Sequence, residues 1–126
     1  MTTGAIELQR LIYQKLSAAG LNVLDAVGEN EDFPYITIGE MTSTDESSKL
    51  DYGAKVDEEI HIWSESDGFK EVKELADSIK SALNSAYYNE NYQIDFSAIN
   101  DFTTMREDDG AIRHGVIHAE FFIFEK

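Results

Sequence analysis

Apolar side chains recur every three or four residues in two segments of the chain, which is the spacing of an amphipathic helix. The first segment covers residues 5–19, and Gly20 follows it as a suitable helix end. The second follows Ser66 and Asp67, either of which is a suitable N-cap. Its apolar positions are Phe69, Val72, Leu75, Ala76, Ile79, Ala82, Leu83 and Ala86. The sequence therefore predicts two helices, each with one apolar side.

Alternation of apolar and polar residues predicts four strands, at residues 34–40, 56–63, 92–103 and 113–124. Glu58 interrupts the apolar side of the second strand, and we expect it near the frayed start of that strand. Residues 21–27 are apolar and short, and indicate either a further strand or a turn. The polar segments 41–55 and 104–113 are predicted to be exposed, mobile loops.

The predicted order is helix, hairpin, helix, hairpin, within a single domain of residues 1–126. The economical arrangement is an α+β fold in which two helices pack on one face of a four-stranded, mainly antiparallel sheet. In such a fold the second face of the sheet is expected to be polar.

The last strand departs from that expectation. Counting by twos places Ile117, Ala119, Phe121 and Ile123 on one face. The other face receives Val116, His118, Phe122 and Phe124. Two explanations remain open: the strand is buried on both faces within its own chain, or its second face contacts a neighbouring subunit.

Composition narrows the classes of function. The 126 residues are 42% hydrophobic, so the chain is able to bury a core, and they include no cysteine, which excludes disulfides and thiolate chemistry. No apolar run approaches the length of a membrane span, and residues 1–10 do not resemble a secretion signal. The net charge of −15 argues against binding to nucleic-acid backbones or anionic membranes.

Candidate chemistry is sparse, and we predict no catalytic, cofactor or metal site. His114 and His118 share a face of a strand but lie about 13 Å apart, too far to share one metal ion, although His61 is able to approach one of them across strands. The acidic runs at 64–68 and 106–110 do not place calcium ligands at EF-hand positions. They indicate a helix cap and a hairpin turn. Nucleophile-elbow and phosphate-loop motifs are missing from the sequence.

Several short motifs occur in a distinctive order along residues 5–84. The helix AIELQRLIYQKL is followed by FPY at the start of a strand, then ITIGE, a polar loop, the strand EEIHIWS and the charged helix KEVKELADSIKSAL. In this order and spacing the chain resembles the phage tail-completion family, also called tail terminators or tail-to-head joining proteins.

The resemblance implies a structural subunit that forms a ring, a hexamer, at the head–tail junction of the virion after assembly in the host cytoplasm. The implied partners are further copies of the chain, the major tail tube protein and a head-completion (stopper) protein, with DNA passing through the ring without specific binding. The family supplies no catalytic residues. The alternatives are another neck or head-completion component, or a small enzyme or ligand-binding module.

The candidate assembly surfaces are the two polar loops and the second face of the last strand. Their residues are Thr42, Ser43, Thr44, Asp45, Lys49, Tyr52, Arg106, Asp108, Asp109, Arg113, Val116, His118, Phe122 and Phe124. A hexamer would gather about −90 charges, so we predict a monomer at low salt and rings favoured by salt or by the tube protein.

Overall fold

The computed structural model describes residues 4–24, 32–45, 53–107 and 110–126. These residues include two helices, α1 at Ala5–Ala18 and α2 at Lys70–Leu83. Helix α1 ends as predicted: Gly20 has φ of 83°, a left-handed conformation that suits glycine after a helix. Helix α2 starts later than predicted, after Phe69, and has no side-chain cap.

The predicted cap of α2 by Ser66 or Asp67 is wrong because the preceding turn has its own hydrogen bonds. The backbone N–H of Ser66 donates to Ser64 Oγ at 3.0 Å, and that hydroxyl donates to Glu71 Oε1 at 2.6 Å. Ser64 therefore links the end of a strand to the first turn of α2.

Six strands are described, not four. They are β1 (Val23–Leu24), β2 (Tyr35–Asp45), β3 (Gly53–Ser64), β4 (Tyr87–Tyr88), β5 (Tyr92–Arg106) and β6 (Arg113–Glu125). They form one sheet in the order β1-β2-β3-β6-β5-β4, in which β1 runs parallel to β2 and the other pairs are antiparallel. The prediction of a four-stranded, mainly antiparallel sheet is thus wrong: the sheet is mixed, six-stranded and curled into a half-barrel.

Both predicted loops contribute strand residues. Residues 41–45 continue β2 and residues 53–55 begin β3, while residues 46–52 lie outside the described part of the chain. In the same way β5 extends to Arg106 and β6 begins at Arg113. The sequence did not predict these extensions because their side chains are mostly polar. Where a strand projects beyond the core, neither of its faces is buried, so its residues need not alternate between apolar and polar.

Bulges interrupt the pairing at three places. In β2 the register shifts between Ile38 and Met41, and in β5 it shifts after Phe96 and again after Ile99. A bulge turns the following side chains to the other face of the sheet. Ala98 therefore pairs with Glu120 and does not continue the apolar side that begins at Tyr92.

The core lies between the two helices and one face of the sheet. Its helical contribution comes from Leu8, Leu11, Ile12, Leu16, Val72, Ile79 and Leu83, and these residues form one buried cluster with the sheet. Gly115 permits the close approach of α2, since a Cβ at this position would lie 2.6 Å from Val72 Cγ1. Glu58, predicted near a frayed strand start, is instead in the middle of β3 on the core face and is 3% exposed.

Neither described helix is long and apolar enough to cross a membrane.

Candidate assembly surface

The sheet has a second face, turned away from α1 and α2, which we call the uncovered sheet face. Cross-strand partners share a face, so the register of β3, β5 and β6 defines its members. Its charged members on these strands are Lys55, Asp57, Glu59, Asp95, Asp101 and Glu120. Its apolar members include Trp63, Val116, Phe122 and Phe124, all of them half-buried. This face therefore mixes apolar and acidic side chains.

The sequence places four assembly candidates on this face, and the structure puts them there: Val116, His118, Phe122 and Phe124 alternate with the buried residues of β6. Thr42 and Thr44 join them, because they pair with Asp57 and Lys55 across β2 and β3. Ser43 and Asp45 point to the opposite side and are exposed. Lys49, Tyr52, Asp108 and Asp109 lie outside the described residues.

The two arginine candidates differ in their surroundings. Arg106 is exposed at the end of β5. Arg113 is only 8% exposed: its Nη1 donates to the carbonyl oxygen of Gly110 at 2.9 Å, and its guanidinium lies 5.7 Å from the centre of the Phe69 ring. Arg113 thus holds the β5–β6 turn against the start of α2, and it is poorly placed to contact another chain.

A row of hydrogen-bonded side chains crosses the uncovered sheet face from β3 to the β5–β6 turn. Glu59 Oε1 lies 3.0 Å from His61 Nε2, and His61 Nδ1 lies 2.7 Å from His114 Nε2. The row ends where His114 Nδ1 meets Glu107 Oε1, again at 2.7 Å. The row therefore ties the turn after β5 to the middle of the sheet.

The sequence separates these two histidines by 53 residues, and only the pairing of β3 with β6 brings them together. Trp63 adds an aromatic contact, since its ring stacks on His114 with centroids 3.8 Å apart. Alternation in both strands was the available signal, because it put His61 and His114 on the face opposite the buried apolar residues of their strands. It did not reveal Glu107, whose position depends on the turn.

Burial lowers the pKa of His114, although its hydrogen bond to Glu107 acts in the opposite direction. The unfolded chain therefore takes up a proton on this residue before the folded chain does. As a result, the contribution of His114 to the free energy of unfolding falls on acidification below the ordinary histidine pKa of 6.5. Thermal unfolding of the natural chain and of His114→Gln between about pH 7.5 and about pH 5.5 measures this contribution: the melting temperature of the natural chain, relative to that of the variant, should fall as the pH falls.

Glu107→Gln should change the pH dependence of stability in the direction opposite to His114→Gln. It removes the group that raises the pKa of His114, so the contribution of His114 to stability should fall further in acid than it does in the natural chain. Parallel profiles of melting temperature against pH for the natural chain and both variants would contradict the assignment of this pH dependence to His114.

The uncovered sheet face and its row of hydrogen-bonded side chains are better suited to contact with another molecule than to catalysis. Within the described residues, no group of three or more His, Asp or Glu side chains could hold a metal ion. The half-buried apolar side chains of the uncovered sheet face, together with the acidic residues among them, are features of a binding surface.

Comparison with known proteins agrees with a structural role. Residues 12–123 match the family model described as tail completion protein gp17. The tail completion protein gp17 of Bacillus phage SPP1 is 23% identical over 112 residues, which cover 88% of this chain and 83% of that protein.

Two solved structures share the fold. One is a chain from the virion of a native gene transfer agent particle, with a TM-score of 0.74, 23% identity and coverage of 94% of this chain and 95% of that chain. The other is bacteriophage SPP1 gp17, with a TM-score of 0.61, 18% identity and coverage of 95% and 91%. Because the family model spans most of the sequence, this chain belongs to the tail completion protein gp17 family, and it is a structural protein of phage tails and not an enzyme.

Proposed function

We propose that this chain forms a ring, a hexamer, that caps the tail tube, ends tail growth and joins the tail to the head-completion complex. The observation that carries the proposal is the uncovered sheet face, in a member of a family described as tail completion proteins. Phe122, Phe124 and Val116 lie on that face with no described helix over them.

Packing physics supports contact between copies. A sheet with both helices on one side normally presents polar residues to water on the other. Here β6 presents Phe122 and Phe124 next to each other, with Val116 farther along the strand, and burying them against another subunit removes apolar area from water. Within a virion, the head–tail junction is the location that matches this role.

Charge supports the choice of further partners. A net charge of −15 disfavours adhesion to the DNA backbone, which suits a ring through which DNA passes. The same charge favours tube and head-completion proteins that present basic surfaces to the ring.

Removal of the gene tests the proposed function directly. We expect filled heads and separate tails of irregular length in electron micrographs of the lysate, with normal particles restored by the gene on a plasmid. Full infectivity without the gene would rule out the proposed role. Tails of normal length that fail to join would favour another component of the neck.

Light scattering of the purified protein tests ring formation. We expect a monomer when the protein is dilute at low salt, because like charges repel, and larger assemblies when salt or tube protein is added. Bovine serum albumin at the same concentration serves as a control for nonspecific association. A monomer that persists at high salt with tube protein present would contradict the ring.

A further inference from the structure

We propose that neighbouring copies join head to tail, with the uncovered sheet face of one copy against the outer side of α2 in the next. This inference rests on the proposed ring and specifies which two surfaces of the chain meet in it. The occupant of the uncovered sheet face is thus a second copy of this chain.

The sheet side of the contact is strongly acidic. Glu107 joins the charged members of the uncovered sheet face through its bond to His114. The carboxylates are then Asp57, Glu59, Asp95, Asp101, Glu107 and Glu120. Lys55 is the basic residue among them, so the face carries a formal charge of about −5 with neutral histidines.

The outer side of α2 has the opposite character. Lys70, Lys73 and Lys80 are all exposed, and their spacing places them on one side of the helix. Glu74 and Asp77 are exposed nearby, which leaves a formal charge of about +1. The pair of Lys70 and Glu74, at 3.8 Å between side chains that are 90% and 64% exposed, is too solvated to hold the lysine.

Apolar residues accompany the charges on both surfaces. On α1, which packs beside α2, Ile6 is 72% exposed and Tyr13 is 40% exposed. They lie seven residues apart and therefore share one side of the helix. On the sheet, Phe122 and Phe124 are half-buried. Each surface thus supplies both apolar area and charge, which is the composition of a specific interface.

These charges select one mode of association. Two uncovered sheet faces placed against each other would bring like charges together, which disfavours a symmetric dimer. Contact between the sheet of one copy and the helix of the next brings opposite charges together and leaves a free surface of each kind at the ends. Repetition of such a contact closes into a ring when the rotation per subunit permits it.

Two charge-reversed proteins test the inference. The helix variant carries Lys70→Glu, Lys73→Glu and Lys80→Glu, and the sheet variant carries Asp57→Lys, Asp95→Lys and Asp101→Lys. In either variant alone the two surfaces have the same sign, so we expect self-association to weaken on the order of tenfold or more. Analytical ultracentrifugation of each variant with tube protein measures this.

Mixing the two variants is the decisive step. In an alternating assembly every contact is again between opposite charges: acidic helix with basic sheet, and natural helix with natural sheet. We expect the equimolar mixture to recover the assemblies of the natural chain, with equal amounts of the two variants in them by mass spectrometry. The single reversals Lys73→Glu and Asp101→Lys carry less risk to folding. Each reduces the attraction between the two surfaces, so each alone should weaken self-association, but less than the corresponding triple reversal.

A matched control separates surface from net charge. Glu65→Lys, Asp67→Lys and Glu90→Lys change the total charge as much as the sheet variant does, but at exposed residues that lie outside α2 and the uncovered sheet face. We expect this control to associate at least as well as the natural chain.

The outcomes distinguish the two proposals. Association of both variants at natural strength, or a mixture that fails to recover while the natural chain assembles, overturns the head-to-tail contact and leaves the proposed ring standing. A natural chain that never associates, even with tube protein, overturns both.

Discussion

Replacement of Glu58 by methionine should stabilise the protein by about 3 kcal/mol at neutral pH. Glu58 is 3% exposed on the core face of β3, and its Oε2 has no hydrogen-bond partner among the described residues. Burial raises the pKa of this carboxyl to about 8, with smaller contributions from the charges of Glu59 and Asp57. Methionine has a similar length and requires no proton to enter the core.

The sign of the pH dependence follows from that pKa. At neutral pH the folded chain keeps Glu58 protonated, whereas the unfolded chain releases the proton above a pKa of 4.5. The free energy of unfolding therefore falls as pH rises from about 4.5 to about 8, by about 1.4 kcal/mol per pH unit at most, and levels off above this range.

Urea unfolding at a series of pH values between about 5 and about 8 measures the effect. The natural chain should lose stability towards pH 8, whereas Glu58→Met and Glu58→Gln should lack this component. Glu65→Gln, which alters an exposed carboxylate, should follow the natural chain. Parallel profiles for the natural chain and both Glu58 variants would show that the carboxyl is not held neutral in the core.

Substitution of Gly115 by alanine should destabilise the protein by about 1–3 kcal/mol. The added Cβ would lie 2.6 Å from Val72 Cγ1 and 3.2 Å from Phe102 Cε1, so α2 would have to move away from the sheet. The backbone at this position is ordinary extended strand, which alanine adopts without strain, so the loss of stability arises from crowding against α2. Denaturant unfolding of the single variant measures it.

A double-mutant cycle tests the cause. In the Val72→Ala background the clashing methyl group is missing, so Gly115→Ala should destabilise less, with a coupling of about 0.5–3 kcal/mol. Ile79→Val, which also shortens a buried side chain of α2 but lies two helical turns away, should combine additively with Gly115→Ala. Additivity with Val72→Ala would place the strain elsewhere.

Long periodic elements are the part of the fold that the sequence predicts well. The α1 pattern ends where Gly20 adopts a left-handed conformation, and the long strands are found at the predicted centres. Strands β1 and β4 contain two residues each, too few for any alternation to be visible. Their membership of the sheet depends on contacts distant in sequence, such as the pairing of Val23 with Ile36.

Bulges and buried polar groups account for other differences between the predicted and the observed fold. The alternation of β5 continues through Ala98 in the sequence, but the bulge after Phe96 exchanges the faces. The sequence predicts peripheral positions for Glu58 and Arg113, and charged residues are indeed rarely buried. Arg113 is held by a carbonyl and an aromatic ring, whereas Glu58 is accommodated with a raised pKa.

The candidate assembly surface, like the fold, is predictable from the sequence only in part. Alternation in β6 alone placed Phe122 and Phe124 on the second face of the sheet, because a regular strand fixes which side chains lie together. The row from Glu59 to Glu107 was not predictable, since it needs the register between β3 and β6 as well as the geometry of a turn.

The shortness of β1 and β4 has a consequence for the behaviour of the free protein. Each covers two residues of a much longer neighbour, β2 or β5, so among the described residues long stretches of these strands lie at the two borders of the sheet. Such borders recruit strands from other molecules and start aggregates. The bulges lie in these same border strands and distort them, while the acidic surface keeps molecules apart. We therefore expect the free chain to resist edge-to-edge aggregation.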